Sequence, residues 1–400
     1  HVVCRRQRQM CIRDRPETAH WGESFLRFIW CTTRHFKGDL CATTQYALIE
    51  KLLAMGHEMT VLGPDLPTVN YDWKHVQLHQ STMKGRKASS LSKSMCTYLK
   101  NIEDDTCILL IDWALVKHLA PLVEARGIRW ICIDRSPPAD ANIYARFQRN
   151  VWKKSWRFVA SSLGRNSGCI GGTVVSAAHQ KLIMSQFPIE QEKLCIIHAG
   201  VDTRLFQPTN RRSLEAPIRM VYHGKMDRHR GILKLILLID ALEKCGVETE
   251  LNLIGSGDLD QHLTNLGQSK PNLIFHGSIP HSKMPAKLSE YHIGLLPMPN
   301  LPAWTISSPL KRSEYVSSGL LILGIDHQGH SLPTIPKETG WYKLFSQESF
   351  VDDSVKQIQQ WVEEDKFSEL SVKARQYAES ALDWNITTQP LMELLGNLEE

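Results

Sequence analysis

No stretch of about 18 consecutive apolar residues occurs in the chain, so nothing in it reads as a membrane-spanning helix. The arginine-bearing start lacks the apolar core of a secretory signal. No Cys-x-x-Cys pair occurs among the ten cysteines, which stand at 4, 11, 31, 41, 96, 107, 132, 169, 195 and 245. Cys107, Cys132 and Cys195 lie inside apolar runs, where a free thiol behaves as a small hydrophobe. That excludes a disulfide framework and a zinc site, and implies a reduced, cytoplasmic protein. No recognisable nucleic-acid-binding motif is present either, so no nucleic-acid partner is expected.

What remains is an ordinary globular composition, 42% hydrophobic and 22% charged. Its 400 residues exceed the usual domain of roughly 100–200, which predicts two domains with separate cores. The net charge of +5 is unevenly spread. Residues 1–200 hold 27 Lys and Arg against 17 Asp and Glu, whereas residues 201–400 hold 20 against 25. A basic first half beside an acidic second half suggests domains that face different partners, the first an anionic one.

Residues 1–20 show no periodicity and read as an extension outside any domain; Met10-Cys11-Ile12-Arg13-Asp14-Arg15 resembles translated sequencing-adapter read-through. A strand is expected at 25–31, a helix at 40–55 and a strand at 57–63, which together make a βαβ unit and predict a parallel sheet. The alternation continues with a strand at 107–111, a helix at 115–125 and a strand at 129–133. Further strands at 169–175 and 194–198 flank a helix at 177–186. After a linker near 208 the alternation resumes: strand 218–223, helix 232–244, then strands at 248–254, 272–275 and 292–296. From about 349 the chain is helical. The expected division is 21–207 and 208–385, with 386–400 a helix packing back on the first domain. In such sheets ligands bind beyond the carboxyl ends of the strands, which directs attention to loops 33–39, 134–140, 223–231, 255–258 and 297–310.

Residues 142–165 are the most basic and aromatic stretch, with Arg146, Arg149, Lys153, Lys154, Arg157 and Arg165 among Tyr144, Phe147, Trp152, Trp156 and Phe158. Helical spacing of Phe147, Val151 and Val159 favours an ordinary core helix. A helix lying on an anionic membrane surface stays open as a second reading, because Trp beside Lys and Arg suits a lipid interface.

The most informative stretch runs from Ser307 to Gly319, between two apolar strands. Ser308-Pro309-Leu310-Lys311 reads as a helix start with Pro309 in the first turn, and Gly319 as its stop. A helix N-terminus in a loop after a strand offers free N–H donors to an anion. Lys311 adds a cation, and Glu314 can accept hydrogen bonds from sugar hydroxyls. Together they suit a phosphorylated sugar.

The motifs, in order, resemble those of the family 4 glycosyltransferases. Gly200-Val201-Asp202 with Phe206 and Pro208 is similar to the family's Asn-Gly-Val-Asp…Phe-x-Pro, with Ala199 in place of Asn. Gly224-Lys225-Met226-Asp227-Arg228-His229-Arg230-Gly231 has the spacing of Gly-Arg-Leu-x-x-x-Lys-Gly. Gly255-Ser256-Gly257 is similar to the Gly-x-Gly after the next strand, and the Ser307–Gly319 stretch to the variant Ser-Pro-Leu-Lys-x-x-Glu-Tyr-x-x-x-Gly. The likeness covers the chain from about residue 24 to its end. It implies the GT-B fold, two Rossmann-like parallel α/β domains about a cleft, and retaining transfer from a nucleotide-sugar without a metal or other cofactor.

It also implies roles. Lys225 and Arg230 would neutralise the departing diphosphate. Gly224, Gly255, Gly257, Ser308, Pro309, Leu310 and Lys311 would line the donor site, Glu314 would grip ribose hydroxyls, and Gly38 would let the first-domain loop come close. Three departures stand out. Ile306 replaces a Glu eight residues before Glu314, the first loop keeps only Gly38 of a glycine pair, and Asp134-Arg135 stands where a His-Asp pair is common. Asp134 and Arg135 are therefore the candidates for the catalytic place of that His. The expected function is a glycosyltransferase of glycan, glycolipid or cell-surface polysaccharide synthesis. Its acceptor would be a glycan, a lipid-linked molecule or a small molecule, and its location the cytoplasm, peripheral to the inner membrane face. The alternatives are a nucleotide-sugar epimerase of the same fold and a nucleotide-sugar-binding scaffold without turnover.

Overall fold

A computed structural model describes residues 26–36, 42–67, 71–83, 85–103, 106–135, 143–208, 216–334 and 340–396. They form two parallel sheets. The first contains β1 (Arg27–Cys31), β2 (Glu58–Gly63), β3 (Lys74–Gln77), β4 (Ile108–Asp112), β5 (Arg129–Ile133), β6 (Cys169–Val174) and β7 (Leu194–Ile196). Its spatial order is β3-β2-β1-β4-β5-β6-β7, with every pairing parallel. The second contains β8 (Ile218–His223), β9 (Thr249–Ile254), β10 (Leu273–Gly277), β11 (Ile293–Leu296), β12 (Leu321–Ile325) and β13 (Tyr342–Phe345), in the order β10-β9-β8-β11-β12-β13.

Strands such as β4, β11 and β12 are buried along their whole length. Helices cover both faces of a parallel sheet, so its strands read as continuous apolar runs without alternation. In each sheet the strand order reverses once, between β1 and β4 and between β8 and β11. Those switch points open the crevices where ligands of open α/β sheets bind.

The expected alternation is present in both halves. Two elements between 64 and 106 have no counterpart among the sequence expectations, namely β3 and the helix Lys87–Lys100. β3 is a four-residue, partly exposed edge strand, too short and polar to announce itself by pattern. The helix buries only Leu91, Ser92, Met95 and Leu99.

The helix Ile143–Arg165 turns a different face inward than its apolar spacing suggested. Trp152, Trp156 and Val159 are buried, while Phe147 is 56% exposed. Positions 152, 156 and 159 form one i, i+4, i+7 stripe, and two indoles bury more surface than Phe147 and Val151 would. The tryptophans that favoured lipid contact are therefore inside. The outward side keeps Phe147, Arg146, Lys153, Lys154 and Arg157.

The helix Gln389–Gly396 places Leu391, Leu394 and Leu395 in the same apolar cluster as Phe28, Trp30 and Ile108 of the first sheet. The halves also touch beside the second-sheet loops. Ser176 Oγ donates to the Ile306 carbonyl at 2.9 Å, the Ala199 N–H to Ser308 Oγ at 2.9 Å, and Ser313 Oγ to the Ala199 carbonyl at 2.6 Å.

Candidate functional site

Beyond the C-terminal ends of β8 and β9 two glycine loops interlock. Gly224 has φ +132° and Gly255 φ +143°, conformations that L side chains rarely adopt. A Cβ on Gly255 would lie 1.8 Å from the Gly224 carbonyl oxygen, and one on Gly257 2.4 Å from the Met226 carbonyl carbon. The obstacle is backbone in both cases, so no rotamer change relieves it. These glycines let main chain approach main chain and hold the rim of the crevice in one shape. Gly255→Ala is accordingly expected to cost about 2 kcal/mol or more. Thermal unfolding of the variant checks this; a stability equal to wild type would show that the loops are not locked.

Around this rim cations converge. Lys311, in the first turn of the helix Leu310–Ser317, is 8% exposed. Its Nζ stands 4.0 Å from the Tyr222 ring centroid and, among the described residues, has no hydrogen-bond acceptor. A Cβ on Gly224 would lie 2.8 Å from it. Burial, then the charge of Arg230, drives the Lys311 pKa well below the ordinary lysine value, with Glu314 pulling the other way. Arg230 stacks on Trp304, 4.6 Å from its ring, and pairs with Asp227 at 3.5 Å. Lys225 is exposed on the same loop. The helix itself begins at Leu310, one residue later than expected, with Pro309 as its N-cap and no side-chain cap. Its first N–H donors are thus left for water or a ligand. Ser308 is engaged elsewhere, accepting from Ala199 and from Arg312 Nη2 at 3.3 Å.

Glu314 is 3% exposed and sits between two imidazoles. His281 Nε2 is 2.7 Å from Oε1 and His223 Nε2 is 3.0 Å from Oε2. Burial by itself would raise the carboxyl pKa, but the two histidines outweigh it and hold Glu314 far below the usual carboxylate range. From the sequence His223, like His198, lies near the cleft without an assigned role, and His281 is not singled out. His223 ends β8 directly before Gly224, the position that places it near the cleft. His281 is 33 residues from Glu314 and carries no local signal.

The first-domain candidates fare differently. Asp134 is wholly buried, with Oδ2 accepting from Trp152 Nε1 at 2.6 Å and Trp156 Nε1 at 2.9 Å, and lying 3.3 Å from His179 Nε2. Burial opposes its charge, yet His179 and the two indole N–H groups hold its pKa below the ordinary value. Of the two residues expected in the catalytic place of the family's His, Asp134 is thus held by the side chains of the helix Ile143–Arg165 and by His179, and it ties the end of β5 to that helix. Arg135 remains at the rim. Its Nη2 donates to Thr44 Oγ1 at 2.8 Å and its Nη1 to the Ile197 carbonyl at 3.4 Å. Near it stands His198, whose pKa is pushed down to about 4 by burial and then by Arg312 and Arg135. Gly38 lies outside the described residues. The chain leading towards it is pinned at the end of β1, where Asp112 accepts from Thr32 Oγ1 and the Thr33 N–H, both at 2.9 Å.

A shallow cavity lined by Arg27, Lys74, Tyr98 and Asn101 lies at the opposite end of the first sheet, where β1 and β3 begin. Ligands of open α/β sheets do not bind at that end. Among the described residues no group of three or more His, Cys, Asp or Glu side chains could hold a metal ion. No helix among them is long and apolar enough to cross a membrane.

No family model matches the sequence, and no curated protein matches it. Solved structures do match. Sucrose-phosphate synthase from Thermosynechococcus elongatus superposes with a TM-score of 0.72 at 15% identity, over 93% of this chain and 99% of that one. A glycosyltransferase from Rickettsia africae ESF-5 gives 0.66 at 12% identity, over 94% and 99%. HepE from Anabaena in complex with UDP-glucose gives 0.64 at 13% identity, over 93% and 100%. The two halves together have the architecture of these proteins, the GT-B fold of two Rossmann-like parallel α/β domains.

Proposed function

We propose that this GT-B chain is a retaining, metal-independent glycosyltransferase of the family 4 type, which moves a sugar from a nucleotide-sugar to an acceptor. One observation carries the reading. The Lys311 amine is buried beside the Gly224 loop without an acceptor among the described residues, with Arg230 nearby. A buried cation lacking an anion is costly, and a diphosphate at the crevice of the second sheet would supply the missing partner.

In this reading Gly224, Gly255, Gly257 and the Ser308–Lys311 segment shape the donor site. Lys225, Arg230 and Lys311 stabilise the charge that develops on the diphosphate. The acceptor oxygen bonds to the anomeric carbon on the face from which the phosphate oxygen departs. The sugar–phosphate bond breaks, and the acceptor's proton passes to the leaving diphosphate. The acceptor approaches from the first domain, past Arg135 and His198. Closure of the domains would exclude water from the donor. The basic outer face of the helix Ile143–Arg165 supports contact with an anionic membrane surface, and with it a location peripheral to the inner membrane face. Glycan, glycolipid or cell-surface polysaccharide synthesis is the process such a transferase would serve.

Ile306, and the enclosure of Asp134, favour a second reading, a nucleotide-sugar-binding scaffold without turnover. Thermal-shift titration with UDP, GDP, ADP and their sugars, without metal, tests what the two readings share. A ligand at about a hundred times its Kd should stabilise the protein by about 2.7 kcal/mol. A shift for one base establishes the donor site, and UDP comes first because a structural neighbour is solved with UDP-glucose. No shift with any of them rejects both readings. Release of nucleoside diphosphate in the presence of an acceptor then separates transferase from scaffold.

A further inference from the structure

We propose that Arg312 is a positioning residue of the donor site. Without touching the ligand, its guanidinium holds the Ser308–Lys311 turn against the loop after β12 and keeps a fixed positive charge behind the diphosphate. The inference rests on the donor-site reading above and adds to it a side chain that the motifs leave without a role.

Three observations support it. First, Arg312 is a buried cation without a counter-ion. It is 1% exposed in the helix Leu310–Ser317, and among the described residues it pairs with no carboxylate. Burial lowers its pKa, with the Tyr342 and Tyr377 phenols pulling the other way. A hydrophobic side chain of similar volume would pack there at less cost. Second, it ties two loops together. Nη1 donates to the Ser331 carbonyl at 2.5 Å, in the loop after β12, and Nη2 to Ser308 Oγ at 3.3 Å, just before the helix start. The rigid fork of a guanidinium can serve both, which a lysine ammonium does not reproduce. Third, each tied segment bears on the site. Ser308 Oγ also accepts from the Ala199 N–H at the domain junction. The loop after β12 backs the short helix Pro302–Thr305, since a Cβ on Gly329 would lie 2.0 Å from the Trp304 carbonyl oxygen and 3.1 Å from Ser307 Oγ. Trp304 is in turn the ring on which Arg230 stacks.

The two adjacent cations divide the work. Neighbouring helix positions point in different directions, so Lys311 turns to Gly224 and Tyr222 while Arg312 turns to the loop after β12. Lys311 meets the phosphates, and Arg312 fixes the turn that presents the helix N–H donors to them. In a low-dielectric interior its charge also acts beyond contact distance. Two imidazoles register that charge. After burial, Arg312 helps push the His198 pKa down to about 4, and after burial and His327 it helps lower that of His330.

The test compares wild type, Arg312→Met and Arg312→Lys as full chains. Calorimetry measures binding of UDP, GDP and ADP and of the matching nucleosides, and NMR follows the titration of His198. For the diphosphate that wild type binds, Arg312→Met should weaken affinity roughly tenfold, while the matching nucleoside binds as before. Arg312→Lys, which keeps the charge and loses the fork, should recover part of the loss. The His198 pKa should rise in Arg312→Met and stay near its wild-type value in Arg312→Lys. A role confined to folding would leave the ratio of diphosphate to nucleoside affinity unchanged. The proposal is overturned if Arg312→Met binds the diphosphate as tightly as wild type, if diphosphate and nucleoside weaken together, or if the His198 pKa does not move. Should Arg312→Met fail to fold, Arg312→Lys decides alone: a several-fold loss confined to the diphosphate supports the proposal, and wild-type affinity rejects it. Binding of none of the diphosphates by wild type would instead remove the donor site itself, a result distinct from all of these.

Discussion

Lys311→Met should abolish most of the response to nucleoside diphosphates while leaving the unliganded protein as stable as wild type, or more so. The amine is buried beside Gly224 and over Tyr222 without an acceptor among the described residues. Methionine fills similar volume without the desolvation cost, and such replacements of buried charge are often neutral or stabilising. With ligand the balance reverses. Losing one charge-assisted contact to a phosphate weakens binding roughly tenfold to a hundredfold. If the group also stabilises the leaving diphosphate, kcat/KM falls by about 10²–10³. The combination of unchanged melting without ligand and a lost ligand shift distinguishes a binding role from misfolding.

The same residue predicts a pH dependence. Burial, and then Arg230, hold the Lys311 pKa well below its ordinary value, against the opposing pull of Glu314. A bound diphosphate favours the charged amine and raises that pKa, so binding takes up a proton. Affinity is then full below the depressed pKa of the free site, and falls as pH rises from there towards the pKa of the bound site. Calorimetric titration above pH 7, where the phosphates no longer titrate, should show the decline in wild type and none in Lys311→Met. A wild-type affinity independent of pH, or rising with it, contradicts this account.

Asp134→Ala should have the largest effect on stability and little on nucleotide binding. It leaves Trp152 Nε1, Trp156 Nε1 and His179 Nε2 around a cavity, where a single carboxylate now serves all three. Removing one partner from a buried charged network costs about 3–5 kcal/mol, which lowers Tm by roughly 10 °C for a domain of this size. Asp134→Asn keeps one oxygen acceptor and should fall between. Because Asp134 is held below the usual carboxylate range, its contribution is full above the pKa of an unfolded Asp, near 3.9, and is lost as pH falls through the folded value. Acid unfolding of the alanine variant should therefore lack that step. A normal melting temperature with lost turnover would return Asp134 to the catalytic groups.

How much of this was legible follows from what each feature depends on. β5 and β8 were placed to the residue because each is an apolar run bounded by loop residues. The Gly224 and Gly255 loops were legible too, since a backbone that needs positive φ beside other main chain excludes every side chain. β3 and the helix Lys87–Lys100 were not, because a short edge strand and a polar helix with a narrow buried stripe leave almost no periodic signal. The inward face of the helix Ile143–Arg165 was misread for a related reason. Two apolar stripes were available on it, and Asp134 at the end of β5 selects the one bearing Trp152 and Trp156.

The candidate site divides along the same line. Lys311 could be named from the helix start, and Arg230 and the glycines from the resemblance to the family's motifs, whereas the pairing of two histidines on Glu314 and the enclosure of Asp134 could not be read from either. His281 reaches Glu314 from another loop, and His179 reaches Asp134 from a separate helix. The amino-acid order by itself determined the parallel α/β alternation, the two halves and the glycine turns, because strand and helix periodicity and backbone torsion are local properties. Tertiary structure alone decided which carboxylate is enclosed, which cation is buried beside the Gly224 loop and which histidines meet Glu314. Burial and charge pairing depend on segments that are distant in the chain and meet only when the sheets assemble.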